Sequence, residues 1–101
     1  MTMPTVVVIG SLNHDTTFFV PAFGSPGAST ISTSCIDDVG GKGANQALAA
    51  QRLSSKKHGL KEKKINVKMI GAVGEDEWGD KLFSTLERDG VDVSQDRKSV
   101  V

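Results

Sequence analysis

"DDVGGKGANQALAA", residues 37–50, sets three glycines (Gly40, Gly41, Gly43) and one lysine directly before a run of helix-forming residues. Glycine loses more backbone freedom on folding than any other residue, so three at one junction require a reason. Two reasons are open. Bare backbone lets N–H groups approach an anion or a polyol at the positive end of a helix. Alternatively, the glycines make a tight turn that allows close helix–sheet packing. The pattern is not a Walker A loop, because Gly43 follows Lys42 where Ser or Thr should hold magnesium. Nor is it a dinucleotide fingerprint, because Gly41–Gln46 lacks the third glycine.

Upstream, "TVVVIG" (5–10) is a short β-branched run that stops at glycine, the pattern of a buried parallel strand. "SLNHD" (11–15) reads as a polar turn, "TTFFV" (16–20) is β-prone, and residues 21–29 carry turn chemistry with two prolines. Residues 30–39 alternate loosely with Thr30, Ile31 and Thr33, which predicts an extended segment paired with 16–20. Downstream, residues 44–53 form a helix with Ala44, Ala47 and Leu48 on one face. "INVKMIGAVG" (65–74) is a second buried-type strand. Residues 76–90 are a helix with acids in its first turn, Trp78, Leu82 and Leu86 in one stripe, and Gly90 as the stop. "VDV" (91–93) opens a third strand. The order strand, β excursion, helix, strand, helix, strand begins a right-handed, mostly parallel α/β fold. Two or three core strands cannot cover both faces of such a sheet, so an open edge and face should invite association.

The 101 residues include 38% hydrophobic and 24% charged side chains, a globular composition sufficient for one small domain. Twelve basic and twelve acidic residues cancel, so overall charge gives no argument for a nucleic-acid or membrane partner. Cys35 stands alone, which excludes an internal disulfide and fits a reducing compartment. No window approaches the roughly 20 apolar residues of a membrane span, and the N-terminus lacks a signal-like pattern, so a cytoplasmic location is expected. The lysine run 56–64 is expected to be a solvated surface loop. Cys35 has no neighbour in sequence that would lower its pKa and is expected to be inert.

Asn13 and Asp15 follow the first strand at its carboxyl end, where open α/β sheets bind ligands. Asn donates and accepts, and an ionised Asp accepts only, a pairing suited to neighbouring hydroxyls. The plainer alternative is an Asx-turn or strand-end cap. His14 between them is expected to point outward into solvent. At the second strand–helix junction, Gly71 and Gly74 shape the turn and Asp76 caps the helix.

Four motifs in register, 10–15 (GSLNHD), 26–27 (PG), 40–47 (GGKGANQA) and 71–79 (GAVGEDEWG), resemble the PfkB-type, or ribokinase-type, sugar kinase family over nearly the whole chain, to about Ser94. The resemblance implies the N-terminal part of a Rossmann-like ribokinase-type fold, incomplete, with a small β lid at about 16–39. It implies phosphoryl transfer from ATP to the primary hydroxyl of D-ribose, with Mg2+ on the nucleotide and K+ activation. By position, Asn13 and Asp15 match sugar-hydroxyl ligands, and Gly41, Lys42, Gly43 and Asn45 match a second sugar-binding segment. With their neighbours His14 and Ala44 these make the candidate substrate site. The lid also implies a homodimer contact.

The chain departs from the family in having Ala28-Ser29 where Glu-Thr often follows the lid's Pro-Gly, and in the lysine-rich stretch, which reads as an insertion. The family's catalytic Asp lies in a Gly-Ala-Gly-Asp segment, and the ATP pocket lies beyond it. No such segment occurs here, so no catalytic residue is assigned and the chain alone is expected to be inactive. Other readings are a PfkB-type kinase for adenosine or fructose, a non-catalytic sugar-binding module, or a functionless fragment.

Overall fold

The computed structural model describes residues 3–54, 65–95 and 97–99. Its elements are, in chain order, β1 (Thr5–Ile9), β2 (Asn13–Phe19), β3 (Ser34–Gly40), α1 (Lys42–Leu53), β4 (Asn66–Ile70), β5 (Ala72–Gly74), α2 (Glu77–Asp89) and β6 (Arg97–Ser99). The lysine run 56–64 lies outside the described residues.

The framework is a parallel pair. β1 runs beside β4 in register from Thr5↔Asn66 to Ile9↔Ile70, joined by a crossover that contains α1. Parallel neighbours need such a crossover, which leaves the helix packed on the sheet. α1 buries Gly43, Ala44, Ala47, Leu48 and Gln51, with the two alanines fully removed from solvent, so the helix sits close over Val67 and Met69 of β4. α2 adds Leu82 and Leu86 to the same cluster. Its ends follow local chemistry: the Asp76 carboxylate accepts the Gly79 N–H at 2.8 Å, and Gly90 closes the helix in the left-handed conformation.

The expected third strand at 91–93 contributes one ladder step. Met69 N–H donates to the Asp92 carbonyl and Asp92 N–H to the Val67 carbonyl, both at 2.9 Å, with Val91 and Val93 buried on either side. The second strand, expected to be continuous over 65–74, divides at Gly71. Beyond it β5 pairs in parallel with β6 instead of continuing alongside β1. β1 itself is not buried: Ile9 is 77% exposed and Val7 47%. Val67 and Met69 are buried on the helix side, while the face that carries Val7 and Ile9 is open among the described residues.

Between β1 and α1 the chain makes an antiparallel pair, β2 with β3, in register from Asn13↔Gly40 to Phe19↔Ser34. This is the excursion expected at 16–39, with two changes of boundary. The polar segment 13–15, expected as a turn, is the start of β2, because it has a full set of partners in 38–40. Conversely, Thr30–Thr33 is not strand; Thr33 only ties back to Phe19, through its N–H at 2.8 Å and its hydroxyl at 3.1 Å. α1 likewise starts at Lys42, two residues ahead of the expected Ala44.

Candidate functional site

The carboxyl ends of β1 and β4 open onto a hollow of about 540 Å³ lined by Leu12, Asn13, His14, Asp15, the β5 segment, Asp76, Trp78, Gly79 and Leu82. A smaller hollow of about 210 Å³, at Thr5, Asn66, Lys68 and Asp92, lies at the amino ends of the same strands. Ligands of open α/β sheets bind at the carboxyl end, which selects the first.

Strand alternation sorts its polar side chains. Asn13 and Asp15 share one face of β2, and the Asp15 carboxylate occupies the space where a side chain at Gly40 would stand. His14 and Thr16 share the other face with Asp37, the register partner of Thr16. There Thr16 Oγ1 donates to Asp37 Oδ1 at 2.7 Å, and His14 Nε2 lies 3.0 Å from the same oxygen. The Thr16 hydrogen bond, with lesser help from His14 and Lys81, holds the Asp37 carboxyl below the usual carboxylate range.

His14 does not point outward into solvent as expected. Its side chain is only 19% exposed, and its ring stacks on Trp78 with centroids 3.7 Å apart and planes 27° from parallel. Trp78 is the residue that sequence reasoning missed. Helical spacing sets it in one stripe with Leu82 and Leu86, yet it is 39% exposed while those two are buried. The available signal was its position: two residues after the Asp76 cap, a side chain belongs to the helix end that faces the sheet's carboxyl edge.

The glycine-rich junction lies against the start of the same strand. Gly41 has φ 99°, a conformation that side chains rarely adopt, and a Cβ there would meet the Ser11 carbonyl at 2.7 Å and the Asn13 nitrogen at 2.9 Å. A Cβ on Gly43 would meet Met69 Cε at 2.7 Å and the Gly10 and Ser11 backbone at 2.8 Å. At Gly43 the requirement is therefore close packing of helix on sheet, one of the two reasons left open by the sequence. Two of the first N–H groups of α1 already have partners: Lys42 donates to Ser11 Oγ at 3.1 Å and Ala44 to the Ser11 carbonyl at 3.0 Å. Lys42 and Asn45 are exposed on the first turn, whereas Gly43 and Ala44 are buried.

The structure thus brings Asn13, His14 and Asp15 to the hollow and sets Gly41 against Asn13. Lys42, Gly43, Ala44 and Asn45 do not line it. Among the described residues, no group of three or more His, Cys, Asp or Glu is placed to hold a metal ion. Nor is any helix among them long and apolar enough to cross a membrane. Cys35 is free and exposed on β3.

Comparison with known proteins bears on what this arrangement belongs to. The model of the pfkB family of carbohydrate kinases matches residues 3–99, past Ser94 where the motif resemblance ended. A ribokinase of Haemophilus influenzae is 34% identical over 90 residues, covering 89% of this chain and 26% of the relative. The crystal structure of a Cryptococcus neoformans ribokinase in complex with ADP superposes with a TM-score of 0.73 at 32% identity, over 97% of this chain and 27% of that one. An Arabidopsis thaliana ribokinase complexed with ribose and ATP gives 0.72 at 26% identity, over 99% and 29%. The chain therefore spans between a quarter and a third of the length of these proteins. With the family model matching from residue 3 to 99, and with a mixed α/β architecture built on a parallel pair, this chain belongs to the pfkB family of carbohydrate kinases and forms an N-terminal portion of their fold.

Proposed function

We propose that the chain is the sugar-binding portion of a ribokinase-type enzyme, in which Asn13 and Asp15 hold the hydroxyls of D-ribose while ATP phosphorylates its primary hydroxyl to give ribose 5-phosphate. One observation carries this reading: Asn13 and Asp15 share a face of β2 at the rim of the hollow on the sheet's carboxyl edge. A carboxylate that only accepts, beside an amide that does both, matches adjacent hydroxyls. The ribose and nucleotide carried by the Arabidopsis and Cryptococcus relatives support the choice of ligands.

Gly41, Lys42, Gly43, Ala44 and Asn45, which flank the hollow beyond Asn13 and do not line it, form the second sugar-facing segment in this reading. Within it Lys42 and Asn45 have side chains free of the core, and Gly41 keeps the junction close to Asn13. Exposed Phe18, Phe23, Ile31 and Ile36 on and around the β2–β3 pair support a lid that closes over the sugar and meets a second copy. Closure excludes water, which otherwise competes for the phosphoryl group. Magnesium and potassium enter this reading by family resemblance. The described residues offer no cluster suited to an ion, so no step is assigned to one here. The sequence has no Gly-Ala-Gly-Asp segment to supply the base. Phosphoryl transfer needs positioning and charge stabilisation at the γ-phosphate, so the 101 residues alone bind sugar without turning it over, in a cytoplasmic setting.

Calorimetric titration of the chain with D-ribose, adenosine and fructose tests this. Saturable heat with ribose, lost in Asn13→Ala and Asp15→Ala, is the expected result, with no ADP formed when ATP is added. Binding of adenosine in preference to ribose would reassign the substrate. Binding of none of the three would overturn the sugar site.

A further inference from the structure

Between the two residues assigned to the sugar, His14 faces the opposite side of β2, and its surroundings join two parts of the molecule. One face of its imidazole lies on Trp78 of α2, with centroids 3.7 Å apart. Its Nε2 lies 3.0 Å from Asp37 on β3 and 3.4 Å from the Thr16 hydroxyl on its own strand. The ring is thus pinned at its edge by the β2–β3 pair and at its face by the helix. Trp78 is itself fixed: it sits in the first turn of α2, beside the Asp76 cap, with the Lys81 ammonium 5.6 Å from its ring centroid.

We propose that Trp78, acting through His14, is a positioning residue that docks β2 on α2 and thereby holds Asn13 and Asp15 at the rim of the hollow. The proposal rests on the sugar-site reading for its consequence in binding, but the docking itself does not depend on that reading. Neither ring needs to touch the ligand. The stack itself lines the hollow and fixes the strand through the face opposite Asn13 and Asp15, so that the carboxylate and amide one residue to either side meet the sugar already oriented. Preorganisation of this kind raises affinity by lowering the ordering cost of binding. Loss of an aromatic pair corresponds to about threefold to tenfold in an equilibrium constant.

The test uses the whole 101-residue chain and three variants, His14→Ala, Trp78→Ala and His14→Phe. Hydrogen exchange at residues 13–15 measures the docking, and D-ribose calorimetry measures its consequence. Trp78 is the only tryptophan in the chain, so its emission reports the stack directly. His14→Ala is expected to change that emission, to speed exchange at 13–15 about threefold to tenfold while leaving α1 unchanged, and to weaken ribose binding by a similar factor. His14→Phe, which keeps a stacking ring, should restore both. Trp78→Ala should match His14→Ala; if it fails to fold, the His14→Ala and His14→Phe pair decides. Unchanged exchange in His14→Ala would overturn the docking. Weakened binding in His14→Phe equal to that in His14→Ala would make the imidazole a direct sugar contact and overturn the positioning role. If the unaltered chain binds no ribose, the sugar-site reading fails, and the exchange comparison alone still decides whether the stack docks the strand.

Discussion

Around α1 the chain removes Ala44 and Ala47 wholly from solvent against Met69 and Val67, whereas the β2–β3 pair leaves Phe18, Phe19, Ile36 and neighbouring Phe23 exposed. The two regions adjoin in sequence but are held by different forces. The body has apolar burial and a backbone approach so close that Gly43 has no room for a side chain. The β2–β3 pair is held by its strand ladder, by the Thr16–Asp37–His14 group and by one ring stack on α2. Segments with few buried apolar contacts open at lower free energy than packed cores. The body is thus the rigid scaffold, and the outer part of the β2–β3 pair, beyond the docked residues 13–15, is the part suited to move.

The contrast breaks most readily by truncation. Leu86→Ala, at a fully buried position of α2, should cost about 2–5 kcal/mol and lower the thermal midpoint sharply. The same change at Phe23, fully exposed between β2 and β3, should stay within about 0.5 kcal/mol. Equal losses at the two sites would mean that the β2–β3 region is packed like the body. Gly43→Ala comes next: a methyl pressed on Met69 Cε and the Gly10–Ser11 backbone should cost about 1–3 kcal/mol in chemical denaturation. A neutral result would show that α1 stands off the sheet. Asp76→Ala removes the acceptor for the Gly79 N–H and should cost about 1 kcal/mol, read as a lower denaturation midpoint.

The smallest effect concerns pH and belongs to the β2–β3 pair. The Asp37 carboxyl is held below the usual carboxylate range, chiefly by the Thr16 hydroxyl. A depressed folded-state pKa stabilises above the unfolded value, and that contribution is lost as pH falls through the folded one. Hydrogen-exchange protection across β2 and β3, taken relative to the intrinsic exchange rate at each pH, should therefore be steady near neutrality and fall only in acid. In Thr16→Val the Asp37 titration, followed by NMR, should move up towards the ordinary carboxylate value. An unmoved titration would remove Thr16 as its cause.

What could be read in the sequence follows the same division. α2 was legible at both ends, because the Asp76 cap and Gly90 stop are local signals, and Ala44, Ala47 and Leu48 were legible as a face, because helical spacing aligns them. The strand character of 13–15 was not. Asn, His and Asp favour turns, and only pairing with 38–40, which lies more than twenty residues away, makes them a strand. The split at Gly71 was hidden for a similar reason, since an apolar run does not reveal that its ladder partner changes. That Asn13 and Asp15 come to the hollow was legible from their place after β1. The part of Trp78 was not legible, because periodicity sets it in one stripe with Leu82 and Leu86 and cannot show that it lies at the stripe's open end. The glycines of 40–43 carried two meanings, of which close packing at Gly43 is visible in the backbone contacts.

Mapping amide chemical shifts of the isotopically labelled chain during titration with D-ribose tests the central claim most directly. The account predicts saturable shifts at Asn13 and Asp15 and along 41–45, with Thr5 and Asn66 at the opposite end of the sheet unmoved. Shifts confined to that opposite end, or none anywhere at saturating sugar, would contradict it.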